Sequence, residues 1–392
     1  MAHISSEVRA LTEEMTERRR DFHRHPELGF QETRTAGIVA ERLRALGYTV
    51  RTGLGKTGVT GFLAGGKPGK TVLLRADIDA LPIHEEADVA WKSQNPGRMH
   101  ACGHDAHTAM GLAAAEILAK ETSSLSGNLC FVFQPAEELL IGAEAMLKDG
   151  ALDGIQADAA FAVHLMNRFP VGTVAIRSGA VMTAADKLEI TITGRGGHGA
   201  SPHLAIDPVV ATAQVITALQ TLVSRETPPL KMAVLSLTTL QAGTAFNIIP
   251  DAVEITGTFR CFDADLREKL IASLKRTAEG VAAALRCTAE VRNTFLTPAV
   301  LNDPAITRLA QEVALEIVGK DRVIEPEPVT GSDDVAYFWQ KMPGCYAFIG
   351  SAKPEWSQAP AGHNAKFDID ESAMAIGAEF LVGAARKVWQ TA

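Results

Sequence analysis

At 392 residues the chain is longer than one hydrophobic core usually grows, so two domains are expected. Apolar residues are 46% and charged residues 21%, with a formal net charge of −8, which excludes a disordered chain and argues against a nucleic-acid binder with its basic footprint. No apolar run reaches the ~18 residues of a membrane span. Five widely spread cysteines do not form a disulfide framework, and Arg18-Arg19-Arg20 runs into Asp21-Phe22-His23 rather than an apolar export signal, so a cytoplasmic location is expected.

Taken in order, the pattern predicts an amphipathic helix over Glu7 to His23 and a second over Ala36 to Leu46, closed by Gly47. A strand is predicted over Val59 to Ala64, a turn over Gly65 to Gly69, and an apolar strand from Thr71 to Ala76 that ends at Asp77 and Asp79. Thr108 to Lys120 reads as a helix. Leu129 to Phe133 and Ala159 to Val163 read as buried strands, the first ending at Gln134-Pro-Ala-Glu137-Glu138 and the second at His164. Strands alternating with helices imply an α/β fold with a mainly parallel sheet. From Lys187 the pattern turns to strict alternation. A helix (Pro208 to Ser224), two strands (Ala233 to Gln241, Ala252 to Phe262), a helix (Ala264 to Leu285) and a strand (Thr288 to Thr294) follow. That β-α-β-β-α-β order is the ferredoxin-like unit. A strand at Cys345 to Gly350 and a helix at Ser372 to Trp389 resume the first pattern. The expected organisation is a catalytic α/β domain in two parts, residues 1–184 and 295–392, interrupted by a ferredoxin-like lid or dimerisation domain at residues 185–294.

Eleven histidines are placed unevenly, with His100, His104 and His107 crowding one segment that also holds Cys102 and Asp105. Thiolate and neutral imidazole are the preferred ligands of zinc-like ions, and packing alone does not call for such a cluster, although a polar loop with Asp105 as a helix cap also fits. Glu137-Glu138 and His164 follow apolar strands, and His363 lies in a loop before the last helix. Each alone fits a solvated turn or a satisfied polar residue. In open α/β sheets, however, sites gather outside the carboxyl ends of strands, so these groups should converge with Cys102 and His104, enough for two metal ions with a carboxylate to spare.

Arg75-Ala-Asp-Ile-Asp-Ala-Leu-Pro82, His100-Ala-Cys-Gly-His-Asp-Ala-His107, Gln134-Pro-Ala-Glu-Glu138, Ala162-Val-His164 and Gly362-His-Asn364 together resemble the di-metal amidohydrolases of the aminoacylase, hippurate hydrolase and carboxypeptidase type, subfamily D of metallopeptidase family twenty. Phe22-His-Arg-His-Pro-Glu-Leu-Gly-Phe-Gln-Glu32 resembles that subfamily's N-terminal signature, and the likeness covers almost the whole chain in matching order. Gly331-Ser-Asp-Asp334 departs from the family's Ser-Glu-Asp-Phe, with Val335 in place of the aromatic, which bears on pocket shape rather than on metals.

The resemblance implies that Cys102 bridges two divalent ions, zinc, manganese, cobalt or nickel, and that His104, Glu138, His164 and His363 complete their ligands. Glu137 is implied as the general base and Asp79 as a carboxylate orienting a ligand; Asp77 is not assigned as a ligand. His100, Asp105 and His107 fit either support of the ligands or local hydrogen bonding. His198, on the loop Gly194-Arg-Gly-Gly-His-Gly, would polarise the substrate carbonyl or the oxyanion, from a partner subunit in a homodimer. Asn247 and Arg260 would hold the substrate carboxylate. The implied reaction is hydrolysis of N-acyl amino acids such as benzoylglycine. The alternatives are a carboxypeptidase or dipeptidase, an N-acetyl-diaminopimelate deacetylase, or an inactive metal-binding protein on the same scaffold, the last disfavoured by the presence of every ligand and the base. No nucleic-acid or membrane partner is expected.

Overall fold

The computed structural model describes residues 2–391, and the chain divides into two compact units. The first comprises the chain up to Val181, Val300–Pro328 and the chain from Asp333; the second comprises Met182–Ala299 and Val329–Ser332.

The first unit is built on an eight-stranded, mainly parallel sheet. Its four central strands, in the order Ser126–Gln134, Lys67–Asp77, Ala159–Pro170 and Gly344–Ala352, are parallel to one another. Their runs Val72-Leu73-Leu74 and Phe131-Val132-Phe133 are buried without alternation, as in strands covered on both faces. Thr49–Leu54 and Gly58–Ala64 extend one edge in antiparallel fashion. Val174–Ala175 and Val323–Ile324 extend the other. Helix His104–Ala119 is buried on nearly every side and packs against Thr12–Arg24, Ala373–Gln390 and the strand Lys67–Asp77. No helix among the described residues is long and apolar enough to cross a membrane.

Four elements depart from the sequence pattern. The N-terminal helix is broken at Leu11, whose N–H bonds Val8 O in a tighter turn, leaving Ser6–Ala10 and Thr12–Arg24. The strand after Ala64 starts at Lys67, within the expected turn, because Lys67 already pairs with Ser126 ahead of a bulge. The helix expected from Thr108 begins at His104, with Gly103 rather than Asp105 as its cap. Polar residues fill that first turn because each faces a partner from another segment. Finally, the strand from Ala159 continues to Pro170, held by pairing with Gly344–Ala352, so His164 lies within the strand and not at its end.

In the second unit four antiparallel strands lie in the order Ala233–Ala242, Ala252–Cys261, Ala184–Thr193 and Thr288–Thr297. Leu188, Ile190 and Ile192 alternate into a core shared with helices Pro208–Thr221 and Ala264–Ala284. Both helices start from an aspartate whose side chain accepts backbone N–H groups: Asp207 from Val209 N at 2.8 Å and Asp263 from Leu266 N at 2.8 Å. Pro208 at the first helical position needs no N–H partner.

Candidate metal centre

Five segments of the first unit bring ligand atoms together. The strand Lys67–Asp77 ends just before Asp79, and Ser126–Gln134 ends just before the turn carrying Glu137 and Glu138. His104 opens a helix, His164 projects from a central strand, and His363 N bonds Ala101 O at 2.7 Å, tying the C-terminal loop to the Cys102 segment. Of the five donor groups whose atoms lie within 4.8 Å of one another among the described residues, three unite these residues: Cys102 with His104 and His164, Cys102 with Glu138 and His363, and His104 with Glu137 and Glu138. Cys102 is common to the first two.

The imidazoles of His104 and His164 are fixed by their outer nitrogens. His104 Nδ1 lies 3.0 Å from Asp79 O and 3.2 Å from Asp79 Oδ1, so it donates there and leaves Nε2 bare. His164 Nδ1 donates to Leu165 O at 2.7 Å, leaving Nε2 3.4 Å from the Cys102 sulfur. His363 Nε2 lies 3.2 Å from Glu138 Oε2. His107 is closed to an ion: Nε2 accepts Leu165 N at 2.9 Å and Nδ1 donates to Asp77 Oδ1 at 2.6 Å. Asp77 is likewise spent, its other oxygen taking Arg75 Nη1 at 2.6 Å.

The donor set fits divalent cations. His104 Nε2 and Glu138 Oε1 are buried without a hydrogen-bond partner, a costly state for polar atoms unless a cation completes them. Burial, then the charge of Glu138, pushes the Cys102 thiol up, a tendency that coordination to a divalent ion would reverse by favouring the thiolate. Burial, followed by Asp333 and Glu138, holds the Glu137 carboxyl well above the usual range. Asp333 and Asp334 lie within 4.8 Å of Glu137 in ligand-atom distance. Asp333 takes Arg75 at 2.8 and 3.1 Å and Tyr346 Oη–H at 2.9 Å. Asp334, pushed up to about 8 by burial and then by Asp333, accepts Gln134 Nε2 at 2.5 Å and Ala143 N at 2.8 Å.

Residues 73–387 match peptidase family M20/M25/M40. The chain belongs to that family. Among its relatives are N-acetyl-L-cysteine deacetylase of Bacillus subtilis, 39% identical over 94% of this chain and 87% of the relative, and thermostable carboxypeptidase 1 of Saccharolobus solfataricus, 38% identical over 96% and 95%. The crystal structure of the Bacillus subtilis YXEP protein, described as a dinuclear metal binding peptidase from M20 family, superposes with a TM-score of 0.84 at 34% identity, covering 98% of this chain and 100% of that one. This M20/M25/M40 chain is therefore a metal-dependent hydrolase of the amidohydrolase and peptidase kind.

Not every candidate of this M20/M25/M40 member falls in the cluster. Cys102, His104, Glu137, Glu138, His164, His363 and Asp79 converge; His198, Asn247 and Arg260 belong to the second unit. There His198 and Asn247 are neighbours, both exposed, joined by Gly199 N to Asn247 O at 2.8 Å. Half-buried Arg260 donates to Ser332 Oγ at 2.5 Å. Asp105 bonds His23 Nδ1 at 2.7 Å and Arg19 Nε at 2.8 Å, supporting the helix that starts at His104. His100 is buried with neither nitrogen partnered, and burial lowers it to about 4, so it is neutral. Sequence reasoning missed Arg75, Asp333 and Asp334 as neighbours of Glu137. An arginine inside an otherwise apolar strand was the available signal.

Proposed function

We propose that the chain hydrolyses the amide bond of N-acyl amino acids. The observation that carries this reading is Cys102 shared between two three-donor groups with the buried carboxylate of Glu137 beside them. Similarity to a deacetylase of N-acetyl-L-cysteine supports the substrate class. In this reading Cys102, His104 and His164 hold one divalent ion, and Cys102, Glu138 and His363 a second; zinc, cobalt and nickel suit the thiolate best, and manganese is also a candidate. Bound there, the ions would lower the pKa of water toward ~7 and polarise the scissile carbonyl. Glu137 takes the proton of the attacking water and passes it to the leaving nitrogen. Asp79 keeps His104 in the tautomer that presents Nε2. His198 steadies the developing oxyanion, and Asn247 with Arg260 holds the substrate carboxylate.

The second unit is read as a ferredoxin-like lid that also pairs two chains. Its strand Ala233–Ala242 is bonded on one side only among the described residues and exposes Leu240, and Phe246 and Ile248 in the segment that follows are also exposed. The competing reading, a carboxypeptidase, is favoured by similarity to thermostable carboxypeptidase 1.

A substrate panel on chelator-stripped enzyme, with metals added back singly, decides. N-acetyl and N-benzoyl amino acids should be cleaved faster than dipeptides and longer peptides; the reverse order selects the carboxypeptidase. Cys102→Ala should lose metal and activity together. Full activity after exhaustive chelation rules out the metal mechanism.

A further inference from the structure

The N-terminal signature Phe22 to Glu32 has no part in the ligand set, yet it reaches the turn that carries Glu137. Ala136, the residue just before Glu137, is fully buried and has φ of 51°, the left-handed region that a non-glycine residue enters at a cost. Glu32 comes from a segment 104 positions away, and its side chain is fully buried. Oε1 accepts Ala136 N–H at 2.9 Å, and Oε2 accepts the Thr57 hydroxyl at 2.5 Å. Although Glu32 stands at the cap position of the helix Thr33–Ala45, its side chain makes no capping bond; Glu27 serves there, accepting Arg34 N at 2.9 Å and Thr35 N at 2.8 Å. Gly29 approaches the same turn so closely that a Cβ would lie 3.1 Å from Ala136 Cα. Glu138, one residue further on, has separate restraints in Asp79 and His363.

We infer that Glu32 is a positioning residue for the general base: its hydrogen bond to Ala136 holds the strained turn that aims Glu137 at the reaction centre. The inference rests on the reading of Glu137 as the base. Orientation errors near 1 Å are worth about a hundredfold in rate, so the effect belongs in kcat.

The test compares Glu32→Ala, Glu32→Gln and Glu137→Gln in the metal-loaded enzyme on an N-acyl amino acid, with metal content and KM measured for each. Glu32→Ala should lower kcat about 10- to 100-fold with metal content and KM unchanged. Glu32→Gln keeps an oxygen for Ala136 N–H and an amide to face the Thr57 hydroxyl, so it should recover kcat to within about threefold. Added to Glu137→Gln, Glu32→Ala should cause no further loss. Inactive Glu137→Gln beside near-normal Glu32→Ala overturns the positioning role alone. Near-normal Glu137→Gln removes the base reading and this role with it. A Glu32→Ala loss accompanied by loss of metal, or one that glutamine does not repair, also overturns it. Should Glu32→Ala fail to fold, Thr57→Val frees one oxygen of Glu32 and should lower kcat several-fold at full metal content; an unchanged kcat refutes the role.

Discussion

One carboxylate joins His104 to the turn that carries Glu137 and Glu138: Asp79 Oδ1 lies 3.2 Å from His104 Nδ1, and Asp79 Oδ2 accepts Glu138 N at 3.0 Å. Asp79 itself is buried, and each of its carboxylate oxygens has one of these partners. Asp79→Ala should therefore weaken metal binding and turnover together. Loss of such an outer partner typically costs about 10- to 100-fold in metal affinity, measurable by competition with a chelator. Affinity unchanged within about twofold would show that His104 holds its orientation without Asp79.

The acidic pair should divide by function. Glu137→Gln should retain its metals and lose turnover by about 10²–10⁴, while Glu138→Gln should lose metal first, because Glu138 Oε1 is the buried, unpartnered oxygen. Metal content and single-turnover rates for both variants check this. The opposite assignment follows if Glu137→Gln is the one that loses metal.

Arg260 should distinguish acids from amides. Removing a charge-assisted hydrogen bond costs about 1.5–3 kcal/mol, so Arg260→Ala should reduce kcat/KM for N-acyl amino acids by that amount and barely affect their C-terminal amides. Its bond to Ser332 offers the other outcome. Equal losses on both substrates would make Arg260 a tie within the second unit.

His198 should act across a dimer. Subunit exchange between inactive Glu137→Gln and His198→Ala homodimers would place Glu137 and His198 from different chains in one intact site. About half of the dimers are mixed, each with one good site of two, so about a quarter of wild-type activity should return. Heterodimers verified by mass yet inactive would place His198 in service of its own chain.

The parts legible in the sequence are those with a local signature. Apolar runs before Asp77 and Gln134 mark buried strands, and the motifs carrying Cys102, His104 and Glu138 mark candidate soft and hard ligands, whose donor atoms the structure brings together. The partners in long-range polar contacts were not legible: an arginine in an apolar run signals that Arg75 needs a partner but not that it is Asp333, 258 positions away, and nothing local ties Glu32 to Ala136, 104 positions away. The misplaced helix start has the same origin. Asp105 and His107 look like loop residues until His23 and Asp77 are seen to satisfy them. His164 was misplaced for a different reason, since a polar residue in a strand reads as its end unless pairing beyond it is known.

The candidate ligands come from residues 102 to 164 and then, after a long interval, from residue 363. On the ribosome, the Cys102, His104 and His164 group is synthesised well before the strand Gly344–Ala352 that lines the sheet and the loop that brings His363. Contacts of such sequence separation form late and slowly. A nascent chain can thus offer one set of soft donors while the other still lacks its last member. In the proposed reading, the ion free during synthesis, and not only the ion that binds best at equilibrium, would bear on how the centre is loaded.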